Sequence, residues 1–131
     1  MKNKLLFSTF LALLCAFIIG CGSNSSQKGA NIFNGKLDSV QKINYVLPDE
    51  TVKTIDNKED VKLICDILSN QVYSEVDNSS QIEGFHLLEM VGDETFEITL
   101  IRNLVRFNGK EYEAGDKEAF NTIYDTIRKA E

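Results

Sequence analysis

The chain holds one histidine, His86, one proline and no tryptophan among its 131 residues. A single histidine leaves no His-rich ligand set for a catalytic zinc, and no D-x-[DN]-x-[DN]-G loop supplies a calcium site. Asp56, Glu59 and Asp60 stand close together, but the positive end of a helix dipole attracts acids to a first turn, so they read as capping residues. There is no G-x-S-x-G, Walker-type or G-x-G-x-x-G segment, which removes the sequence basis for a hydrolase elbow or a nucleotide site. No catalytic, cofactor-binding or metal-binding residue is assigned, no cofactor is expected, and a non-enzyme is the leading expectation.

The chain also has little that could span a membrane. Its longest apolar-to-small run, Leu5 to Ile19, covers about 22 Å as a helix, against a hydrocarbon core of about 30 Å. Lys2 and Lys4 precede the run and a polar stretch follows it, the layout of a secretory signal. The run ends Ile18-Ile19-Gly20-Cys21 in place of an A-x-A site. This resembles the lipobox of bacterial lipoproteins. The resemblance implies cleavage before Cys21, a diacylglycerol on its sulfur and a membrane partner held through that lipid. It also implies a location on the bacterial cell membrane, facing outside the cytoplasm. Two or more acyl chains anchor stably where one does not. The expected organisation is a signal peptide over 1–20, a lipidated cysteine and flexible tether over 21–34, and one domain over 35–131.

On that reading Cys15 leaves with the signal and Cys21 is lipidated, so Cys65 has no partner in its own chain and is expected to be a buried thiol. The charge of −6 becomes −8 once Lys2 and Lys4 are removed, which argues against nucleic acid as a partner.

The domain alternates between strand-like and helix-like patterning. Lys36 to Val46 and Thr51 to Ile55, separated by Pro48-Asp49-Glu50, predict a hairpin. Asp56 with Glu59 suggests a capping box, and Val61, Ile64, Cys65 and Leu68 predict a helix over 57–69. Asn70 to Glu83 is polar and reads as a long loop. Gly92-Asp93, Arg102-Asn103 and Asn108-Gly109 then divide 84–113 into four strands, Asn-Gly being the strongest hairpin signal. Two-residue turns throughout would pair Leu87 with Ile98, Phe85 with Leu100, Leu100 with Val105, and Ile98 with Phe107. They would also pair Val105 with Tyr112, and set Arg106 across from Glu111 on the other side. Asp116 opens a final helix whose Phe120, Ile123, Tyr124 and Ile127 share one face. The predicted fold class is α+β: an antiparallel sheet, made of the N-terminal hairpin and a four-strand meander, with two helices packed on one face.

The segment Phe107-Asn108-Gly109-Lys110-Glu111-Tyr112 before a closing helix resembles a pattern in small Gram-positive lipoproteins whose domains have no assigned activity. It implies an extracytoplasmic domain and brings no site residues.

The same register places His86, Leu88, Met90, Ile101 and Leu104 together on the outer face of the sheet. Left open, that patch marks an interaction site for an envelope protein or peptide; covered by the hairpin or the long loop, it is a second minor core, the leading reading. The expected function is a membrane-anchored, non-catalytic binding module. An envelope-associated enzyme using carboxylates and His86 is the alternative, and an immunity-type inhibitor lipoprotein is a third reading.

Overall fold

A computed structural model describes residues 26–77 and 85–130. The signal segment, Cys21, the first part of the tether and residues 78–83 of the expected loop lie outside the described residues.

The alternating segments form one eight-stranded antiparallel sheet: β1 (Ser26–Lys28), β2 (Lys42–Val46), β3 (Val52–Ile55), β4 (Val72–Val76), β5 (His86–Val91), β6 (Thr95–Ile101), β7 (Leu104–Phe107) and β8 (Lys110–Ala114). The spatial order is β1-β4-β8-β7-β6-β5-β2-β3. Three helices accompany it: the short α1 (Gly29–Ile32), then α2 (Lys58–Asn70) and α3 (Lys117–Lys129). One face of the sheet meets the apolar faces of α2 and α3. Ile43, Leu88, Met90, Ile98, Leu100 and Val105 from the strands are fully buried in one core with Ile64 and Leu68 of α2 and Phe120 and Ile123 of α3. The α+β class, with helices on one sheet face, is as the patterning predicts.

Both long helices start at side-chain caps, which satisfy backbone N–H groups that have no partner inside the helix. Asp116 accepts from the Ala119 amide at 3.1 Å, as expected. At α2 the cap is Asn57, whose Oδ1 accepts from Glu59 N at 2.9 Å and Asp60 N at 3.3 Å. This corrects the assignment of the cap to Asp56, and the helix runs one residue later.

The fold extends further toward the N-terminus than the boundary at 35. Residues 26–33 were expected in a tether, yet β1 pairs with β4, placing Gln27 opposite Tyr73. Phe33 is 1 % exposed and packs edge-on against Tyr73 and tilted against Phe107, at ring separations of 6.2 and 5.1 Å. Gly29 makes this approach feasible: its amide donates to the Gln71 carbonyl at 2.8 Å, and a Cβ there would lie 1.9 Å from the Leu68 carbonyl oxygen. A single ring and a single glycine anchor a segment whose average composition is polar.

The expected loop likewise begins as a strand. In β4 only Tyr73 is fully buried, and its hydroxyl donates to the Leu68 carbonyl at 2.9 Å. Val72 is half-exposed, so the segment gives no clean apolar alternation. Backbone pairing with β8 on one side and β1 on the other makes it a strand.

The meander follows the expected register from β6 onward. Leu100 pairs with Val105, Val105 with Tyr112 and Arg106 with Glu111. Asn108 and Gly109 both have positive φ, 52° and 76°, the requirement of the type I′ hairpin turn that Asn-Gly signals. The β5–β6 connection differs. Val91 pairs with Thr95, leaving three turn residues, so Leu88 faces Ile98 and His86 faces Leu100. The expected pairs Leu87 with Ile98 and Phe85 with Leu100 are therefore one residue out. Ser39 holds the longer turn: its Oγ accepts from Asp93 N at 3.2 Å, and a Cβ on Gly92 would lie 2.6 Å from the Ser39 carbonyl oxygen. Because Leu87, Leu88, Met90 and Val91 offer apolar side chains to both faces, periodicity does not choose between the two registers of β5.

Candidate functional site

The slip of β5 dissolves the outer patch. Leu88 and Met90 point into the main core and are fully buried, whereas Ile101 and Leu104 occupy the opposite face, paired with each other across the two-residue turn. His86 shares the core face with Leu88 and Met90, at the first position of β5. The five residues do not form one surface, in either the open or the covered form.

His86 meets two tyrosines. Tyr45 sits on the same face of β2, opposite Leu88, which makes it a diagonal cross-strand neighbour of His86. Its hydroxyl oxygen lies 2.5 Å from His86 Nδ1, and the two rings stack at 5.5 Å with an interplanar angle of 23°. Tyr124, one turn beyond Phe120 on α3, places its ring 4.9 Å from the imidazole at 56°. The Tyr124 hydroxyl donates to the Arg102 carbonyl at 2.6 Å. Strand β2, strand β5 and helix α3 thus converge on one imidazole, and the β6–β7 turn is tied to α3 beside it.

Together they line a half-open cavity of about 390 Å³, completed by Arg102, Asn121, Ile127 and Arg128. Small-molecule sites span roughly 300–1,000 Å³, so this one is at the small end. Its electrostatics follow from partial burial. Desolvation lowers the His86 pKa below its ordinary 6.5, which leaves a neutral imidazole at pH 7. Burial, with a smaller contribution from Tyr45, pushes the Tyr124 hydroxyl up to about 12, so it stays a donor. When the Tyr45 hydroxyl donates to Nδ1, the ring proton of His86 sits on Nε2.

Two pairs of described carboxylates that acid–base chemistry with His86 would call on lie elsewhere. Asp93 and Glu94 sit in the turn at the far end of β5. Glu111 and Glu113 point from β8 to the other face of the sheet, where Glu111 meets Arg106 Nη2 at 3.4 Å. Among the described residues no three His, Cys, Asp or Glu side chains cluster as metal ligands. Nor is any helix there long and apolar enough to cross a membrane.

A second, larger groove of about 710 Å³ runs beside α2, lined by Leu37, Asp38, Lys58, Lys62, Cys65 and Asp66 among others. Cys65 is free and buried, and desolvation, with the nearby Asp66 and Asp38 charges adding, raises its thiol to about 12. A thiol held protonated is a poor nucleophile and metal ligand.

Tyr45, Arg102, Asn121, Tyr124 and Arg128 carried no site signal in the sequence. Tyr124 belonged to an amphipathic stripe, Tyr45 to a hairpin and Arg102 to a turn. Only the packing of α3 over the ends of β2 and β5 brings them together. Comparison of the chain with models of known families, with curated proteins and with solved structures gives no match.

Proposed function

We propose that the chain is a bacterial lipoprotein, anchored by diacylglycerol on Cys21 outside the cytoplasm, whose domain is a non-catalytic binding module using the cavity around His86. The convergence of the Tyr45, His86 and Tyr124 rings from three separate elements on one small cavity carries the binding reading. Rings held by packing and by the Tyr45–His86 and Tyr124–Arg102 hydrogen bonds present contact area that loses little entropy when a ligand arrives. The anchor rests on the charged start, the short apolar run and Ile18-Ile19-Gly20-Cys21.

The anchor is tested by intact mass of the membrane fraction. A species beginning at Cys21 plus lipid, absent from Cys21→Ser, is expected, and an uncleaved, unlipidated mass would overturn it. The binding reading is tested by incubating the detergent-solubilised chain with envelope extract and following its single imidazole by NMR. A reversible shift with the bound compound recovered unchanged is expected. Conversion of that compound to a product, abolished in His86→Ala, would transfer the protein to the envelope-enzyme class.

A further inference from the structure

The cavity around His86 has a charge sign opposite to that of the chain. The full sequence carries −6, yet among the described residues Arg102 and Arg128 line the cavity and no Asp or Glu does. The two arginines are not equivalent. Arg128 Nη2 is 2.5 Å from the Asp125 carboxylate, so its charge is already partnered within α3. The Arg102 guanidinium makes no ion pair or side-chain hydrogen bond among the described residues, and Arg102 is exposed.

The backbone under Arg102 supplies an independent observation. Its φ is +53°, in the left-handed region that glycine and asparagine enter easily and a long side chain does not. The Tyr124 hydroxyl, a wall of the same cavity, holds the Arg102 carbonyl at 2.6 Å. The two-residue turn between β6 and β7 imposes this backbone, and the Tyr124 hydrogen bond ties that turn to α3, so Arg102 stands at a defined place on the cavity rim.

Resting on the proposed binding role of this cavity, we infer that its ligand is a small organic monocarboxylate with a ring or short apolar body: Arg102 takes the carboxylate, and the packed His86 and Tyr124 rings form one wall for the apolar part. A planar guanidinium matches a carboxylate with two parallel N–H donors. One cation unpartnered among the described residues, beside a neutral imidazole, balances one negative charge and leaves a phosphate dianion half compensated. The Tyr45, His86 and Tyr124 rings together with the buried Ile127 favour a body that loses water on entry.

The only histidine in the chain gives a single imidazole signal, which is a direct reporter. The full chain, purified from membranes in detergent, is titrated with 3-phenylpropionate, with the neutral 3-phenylpropionamide and with inorganic phosphate. Saturable movement of the imidazole signal with the carboxylate is expected, with both other probes weaker by about 10-fold or more, the range of a charge-assisted hydrogen-bonded pair. Arg102→Gln should weaken the carboxylate by a similar factor, while the remaining spectrum shows an intact fold. Equal binding of the amide, or undiminished binding by Arg102→Gln, overturns the carboxylate assignment and leaves the cavity as a binding site. Equal binding of phosphate overturns the apolar body. No saturable response to any probe overturns the carboxylate assignment, while the envelope-extract experiment separately decides whether the cavity binds anything at all.

Discussion

The Tyr124 hydroxyl donates to the Arg102 carbonyl at 2.6 Å, tying the middle of α3 to the β6–β7 turn. This bond crosses between an element whose position is set by core packing and a two-residue turn whose backbone is unfavourable for its first residue. Stability and site geometry therefore separate at this point. Arg102→Gly removes the left-handed penalty without removing the carbonyl acceptor, and should raise unfolding free energy by about 0.5–1 kcal/mol in urea denaturation. Tyr124→Phe keeps the ring and loses the hydroxyl, and should lower it by about 1 kcal/mol. Destabilisation by Arg102→Gly would mean that the side chain holds the turn.

Acid should weaken the domain through His86. Its folded-state pKa lies below the ordinary 6.5 of the unfolded chain because burial disfavours the imidazolium. Between those two values the unfolded state binds more protons, so its stabilising effect is complete above about 6.5 and is lost as pH falls through the folded pKa. Urea midpoints of wild type should fall more steeply than those of His86→Gln as pH drops from 7 to 5. Parallel curves would show that the imidazole titrates as it does in water.

Gly29 tests whether the segment ahead of residue 35 belongs to the domain. A methyl at this position would sit 1.9 Å from the Leu68 carbonyl oxygen, so Gly29→Ala must move α1 off the end of α2. A loss of about 2 kcal/mol or more is expected, in the range of overpacked cores, with a lower thermal midpoint. An unchanged midpoint would return residues 26–33 to the role of a tether.

The two candidate caps of α2 give opposite outcomes. Asn57→Ala removes the acceptor of the Glu59 and Asp60 amides and should cost about 1 kcal/mol by chemical denaturation. Asp56→Ala should stay within about 0.5 kcal/mol, the usual range of surface changes. The reverse order would restore the capping box that the Asp56–Glu59 spacing suggests.

By itself the sequence determined the elements with strong local signals. Asn108-Gly109 specified a type I′ turn because both positions need positive φ. Asp116 specified a helix start, and the spacing of Phe120, Ile123 and Ile127 specified which side of that helix is buried. Those choices fixed the α+β class and the register from β6 to β8, because each depends on residues within a few positions of one another. Tertiary structure decided the rest. Residues 26–33 and 72–76 join the sheet through one buried ring each and through backbone pairing, which leaves little trace in apolar periodicity. In β5, apolar residues stand on both faces, so a distant contact, Ser39 on the 92–94 turn, selects the register. That one-residue choice buries Leu88 and Met90 and brings His86 to Tyr45 and Tyr124. The cavity is consequently a product of long-range packing, and no local pattern encodes it.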